Sequence, residues 1–127
     1  MTSSMDIYLT YLKKHMDDFA TWPAEQQANA IKDQQDPSHE VNHDKFFKEA
    51  DKNDDGLLNE EEYGIYIDLW GKLMVEKFGE SFPFNHALHL EGYNPLRVSG
   101  KDGISQEDFA QVKQWAQAAV AQMQSNQ

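Results

Sequence analysis

Residues 51–62 read DKNDDGLLNEEE, Asp51 to Glu62, with six acids in twelve positions, a glycine in the middle and two leucines after it. Like charges a few ångströms apart raise the free energy of any compact conformation unless a cation sits among them. The spacing says how a cation would be held. Side-chain oxygens come at the first, third and fifth positions from Asp51, Asn53 and Asp55, and Gly56 at the sixth permits a sharp turn. Leu57 at the seventh offers its backbone carbonyl, Asn59 at the ninth can hold a water, and Glu62 at the twelfth is long enough to bind with both oxygens.

A hard cation that takes six to eight oxygens is wrapped by such a set, which suits calcium. Magnesium prefers six shorter bonds and keeps its water, so the same set suits it less. A solvated acidic turn between two helices is the plain alternative, and it gives no reason for the matched positions. The flanks agree with a bound ion. Phe46, Phe47 and Ala50 occupy the inward positions of an entering helix, and Tyr63, Tyr66, Ile67 and Trp70 those of an exiting one.

With the pattern D-x-[DN]-x-[DN]-G-x5-E met at every place, the segment resembles the EF-hand superfamily. The run EEYGIYIDLWG is similar to that of sarcoplasmic calcium-binding proteins, which are longer and carry four hands, so only the fold of the hand is carried over. The resemblance implies one calcium ion per chain, with Asp51, Asn53, Asp55, Leu57, Asn59 and Glu62 as its metal ligands. It also implies a second hand, because such loops pair through a short antiparallel bridge. The segment YNPLRVSGKDGISQEDF supplies it, with Ile104 opposite Leu58 and an exiting helix marked by Phe109, Val112, Ala116, Val120 and Met123. With Asn94 as the first position, the second loop, about 94–108, is lengthened by three residues. Arg97 and Lys101 lie where oxygens are wanted, and Asp108 is one methylene shorter than glutamate. This hand is expected to be structural and to hold the first loop in its bridge.

Helical periodicity runs through the rest. Met5, Tyr8, Leu9, Leu12, Met16 and Phe19 recur at three and four over Ser4 to Phe19. A second helix starts at Pro23 and runs through AEQQANAIK until DQQDPS breaks it, and a third spans about His39 to Ala50. A long one follows the acidic loop as far as Gly79, and a short one is expected over His86 to Tyr93, ended by Pro95. The last opens at SQED, where Ser105 caps and Asp108 favours the positive end of the dipole. The fold class is all-α: paired EF-hands over 38–127, with an N-terminal helical extension over 1–37 packing on them.

The chain of 127 residues carries a formal charge of −11, of which the acidic loop with Lys52 supplies −5, so nucleic acid and anionic membrane are poor partners. There is no cysteine, hence no disulfide and no thiolate zinc site. No apolar run approaches the roughly 18 residues of a membrane span, and MTSSMDIYLT lacks the regions of a signal peptide, which points to the cytoplasm.

The pairs His39 with His43 and His86 with His89 have spacing zinc can use, but without a third ligand they read as polar helix surface. Trp22, Trp70 and Trp115 at helical spacing read as core. No nucleophile elbow, phosphate loop or triad is present, so an enzyme is not expected. Three ligating acids suit the affinity of a sensor, which opens an apolar groove to a target protein or peptide helix. A calcium buffer, or an interaction module with a calcium-stabilised hand, is the alternative. The sequence sets no oligomeric state.

Overall fold

The structure, a computed structural model, describes residues 3–125, and side chains as far as residue 122. Seven helices follow one another: α1 Ser4–Phe19, α2 Ala24–Gln35, α3 Ser38–Ala50, α4 Glu60–Phe78, α5 His86–Leu90, α6 Tyr93–Leu96 and α7 Gln106–Ser125. The all-α class holds. Among the described residues the extended backbone pairing is confined to one antiparallel bridge between Leu58 and Ile104. No described helix is long and apolar enough to cross a membrane.

The helices start where local chemistry lets them. Ser3 and Asp6 form a reciprocal capping box at α1, and Asn59 and Glu62 form another at α4, each pair satisfying amides that a first turn leaves unpaired. Two stretches differ from the sequence reading. The polar DQQ continues α2 to Gln35. The single helix expected over His86 to Tyr93 is instead α5, which stops at Leu90, and α6, which Tyr93 opens; Pro95 does not end a helix but sits in the first turn of α6, where its missing N–H has no helical acceptor to lose.

The core lies between α3, α4 and α7. Phe46, Phe47 and Ala50 of α3 are buried against Tyr63, Tyr66, Ile67 and Trp70 of α4, and Val112 of α7 joins them. Phe46 meets Trp70 edge-on at 5.0 Å, and Phe109 lies 5.2 Å from the ring of Tyr66 and 6.1 Å from that of Phe47. Each such ring contributes roughly 1.5–3 kcal/mol of transfer free energy, which ties the helices before and after residues 51–62 to the one that opens at 106. Trp22 and Trp115 pack on the edge of this cluster. The side chain of Met123, expected on the α7 stripe, lies outside the described residues.

Helix α1 packs on α6 and α7 by the face its apolar stripe marks, Met5 excepted, widened to take in Tyr11. Tyr8 and Tyr11 are its buried residues, Leu9 and Leu12 are partly buried, and Met5 is 44% exposed. Tyr8 stands 6.1 Å from the ring of Trp115, and the Tyr11 hydroxyl donates to the carbonyl of His89 at 3.3 Å. Tyrosine turns inward here because its ring adds apolar contact while its hydroxyl finds an acceptor.

Candidate metal centre

The end of α3 and the start of α4 fix the acidic loop. Asp51 caps α3, its N–H on the carbonyl of Phe47, and its carboxylate accepts from the amides of Asp55 at 3.3 Å and Gly56 at 2.9 Å. Asp55 accepts from Leu57 N–H at 3.0 Å. Asp54 and Gly56 take left-handed backbone, with φ of 55° and 79°, and these two turns fold the segment back on itself. Glu62 then reaches in from the first turn of α4, its two oxygens accepting from Lys52 N–H at 2.7 Å and Asn59 N–H at 3.0 Å.

The result is three carboxylates facing one point. Asp51, Asp55 and Glu62 each offer an oxygen, and the three oxygens lie within 4.8 Å of one another. Glu62 is buried, Asp51 half-buried and Asp55 exposed, so the cluster opens to solvent on one side. Each pair repels by about 1 kcal/mol at the dielectric of water and about 3 kcal/mol at that of a protein surface. Amides offset part of this, and a divalent cation would offset far more. Of the other expected ligands, Asn53 is exposed in the loop and Leu57 is half-buried at the seventh position. The side-chain oxygen of Asn59 accepts from Glu62 N–H at 2.8 Å.

The second loop corrects the sequence reading. It is not lengthened, because Asn94 lies inside α6 and the loop begins at its cap, Arg97. From Arg97 to the bridge residue Ile104 is the same interval as from Asp51 to Leu58, and Asp108 holds the twelfth place. The two caps share their backbone, with φ, ψ of −78°, 79° at Asp51 and −81°, 60° at Arg97. The bridge itself is complete, Leu58 N–H donating to Ile104 at 2.9 Å and Ile104 N–H to Leu58 at 2.8 Å. In this frame Arg97 and Lys101 stand at the first and fifth positions, where the first loop has Asp51 and Asp55. Counting back seven residues from Ile104 gives this frame; counting forward from the nearest oxygen-bearing residue, Asn94, obscures it.

Among the described residues the histidines form no shared metal set. His39 pairs with Asp33, which also accepts from Lys77 at 2.6 Å. His43 sits between the Tyr66 hydroxyl at 2.7 Å and Gln106 at 2.8 Å, a pairing met by a proton on Nε2. His86 pairs with Asp68 on the surface. His89 is stacked on Phe84 at 4.5 Å and lies 4.6 Å from His15. Burial pulls its pKa down to about 3, and burial lowers that of His15 as well. His43 and His89 are therefore half-buried contacts, not the polar helix surface that their spacing suggested, and His15 joins them.

Comparison of the chain with protein-family models, with curated proteins and with solved structures gives no match.

Proposed function

We propose that the chain is a calcium-binding protein of the EF-hand kind, taking one calcium ion per chain between Asp51 and Glu62 and passing occupancy on through α4. The observation that carries this reading is the convergence of Asp51, Asp55 and Glu62 within 4.8 Å in a loop that its own amides and two left-handed residues hold open. Asn53, the Leu57 carbonyl and a water on Asn59 would complete the oxygen set. Three acids with two neutral amides suit a dissociation constant of roughly 10⁻⁷ to 10⁻⁵ M, the range of cytoplasmic sensors, and the role is binding, not catalysis. Beyond Glu62 the exiting helix is aromatic and apolar toward the core, so a shift of α4 would be felt at Trp70, packed on Phe46 and His39.

Titration calorimetry with calcium and magnesium tests the reading. One calcium site at micromolar levels and much weaker magnesium binding are expected; no heat with calcium, or two sites of similar affinity, overturns it. Calcium should also change tryptophan emission, and Trp70→Phe should remove most of that change.

A second reading is a buffer or a calcium-stabilised module that barely opens. It is favoured by the ties between α3 and α7, where Glu40 pairs with Lys113 and His43 with Gln106. A hydrophobic dye separates the two: added calcium exposes apolar surface, and a groove for a target helix, only in the sensor.

A further inference from the structure

The second loop is closed by its own side chains, with the polarity of the first loop reversed. In the first loop the leading residue, Asp51, is an acceptor that takes the amides of the fifth and sixth positions. In the second the leading residue is a donor, and the carbonyls of the same two positions are held instead. Arg97 Nη1 donates to the Lys101 carbonyl at 3.0 Å, and the Tyr93 hydroxyl donates to that of Asp102 at 3.3 Å. The guanidinium is steadied by Asn94 Oδ1 at 2.6 Å and lies 4.7 Å from the centre of the Tyr93 ring. From the other side Asp108, 1% exposed, accepts from Ser99 N–H at 3.1 Å, Ser99 Oγ at 3.3 Å and Ser105 N–H at 3.0 Å. Both its oxygens are thus engaged within the loop, and charge-assisted bonds of this kind are the stronger class.

We infer that Arg97, with Tyr93, is a positioning residue for the first loop: it keeps the second loop closed without metal and, through the Leu58–Ile104 bridge, holds residues 51–62 partly ordered before a cation arrives. A site ordered in advance loses less conformational entropy when it binds, so the effect is on affinity. The affinity part rests on the calcium reading above; the closure part rests on the loop's own contacts.

Hydrogen exchange on the full chain, with excess chelator, tests the closure. The amides of Leu58 and Ile104 are expected to be protected without calcium. Arg97→Met keeps the stem and removes every donor; it should speed exchange at both amides by about tenfold, the loss of one to two hydrogen bonds. It should also weaken calcium binding several-fold, although no ligand is altered. Arg97→Lys keeps the charge but cannot span Asn94 and the Lys101 carbonyl together, and should fall between. Should Arg97→Met fail to fold, Tyr93→Phe, which removes one donor and keeps the ring, decides by a smaller acceleration at the same amides. Unprotected amides in the native chain, or exchange unchanged by these substitutions, overturns the inference. A native chain that binds no calcium would end the calcium reading alone, because the exchange data are read without metal.

Discussion

The loops 51–62 and 97–108 have the same length, the same cap geometry and the same bridge, and opposite charge at the leading position. Each places a left-handed residue fourth, Asp54 with φ 55° and Gly100 with φ 76°. Each has a twelfth carboxylate that reaches back to the ninth amide, Glu62 to Asn59 and Asp108 to Ser105. The sixth position differs, left-handed at Gly56 and not at Asp102. The difference in charge lies at two matched places: the first loop sets Asp51 and Asp55 beside Glu62, while the second sets Arg97 and Lys101 beside Asp108.

The largest expected effect separates the two twelfth positions. Glu62→Gln removes one charge and spoils two-oxygen binding, and should weaken calcium affinity on the order of a hundredfold. Asp108→Asn should leave affinity within several-fold and instead lower stability by about 1–3 kcal/mol, since a buried acceptor of three bonds is compromised. Calorimetry and urea unfolding on both variants read this crossover; equal effects of the two on affinity would erase the distinction between the loops.

Next in size is a substitution at the seam. A Cβ on Gly103 would stand 2.7 Å from the carbonyl oxygen of Leu58, so Gly103→Ala must push the bridged backbones apart. A loss of about 2 kcal/mol is expected from overpacking, measured as a drop in melting temperature with and without calcium. An unchanged melting temperature would mean that the loops are not held at the seam.

The smallest effect lies away from both loops and sharpens the contrast by what it leaves alone. Folded His89 stays neutral down to about 3, whereas the unfolded chain takes up that proton near 6.5. Above 6.5 the folded chain keeps the full contribution; as the pH falls below it, the unfolded state binds more protons and stability declines, by at most about 1.4 kcal/mol per unit. His15 shifts in the same direction. Urea unfolding in chelator at about pH 7.5 and about pH 5.5 should show this slope, and His89→Gln should flatten it. A slope that survives the substitution assigns the acid sensitivity to other groups.

The all-α class and the longer helices were legible because they rest on short-range pattern, apolar period and caps, and the Leu58–Ile104 contact because the resemblance implied a paired loop. The cluster of Asp51, Asp55 and Glu62 was legible from short-range pattern as well. What the sequence hid was the frame of the second loop, since α6 absorbs Asn94 and Pro95 in a single turn that no periodicity marks. It also hid the place of Tyr11 on the inward face of α1, since its hydroxyl partner lies on a helix far along the chain. Arg97 read as an obstacle to metal; only its contacts give it a task.

The carbonyl of His89 receives, among its donors, Gly92 N–H at 3.0 Å, Tyr63 at 2.7 Å and Tyr11 at 3.3 Å. A carbonyl has two lone pairs, so the longest of these bonds holds least, and Tyr11 has another partner in His15 Nε2 at 2.6 Å. Tyr63 adjoins Glu62 and has the shorter hold. The two tyrosines look alike as buried aromatics, yet drift to phenylalanine would be felt in different places: at Tyr11 it would take the partner from His15 Nε2, while at Tyr63 it would loosen the residue beside the last carboxylate of the loop.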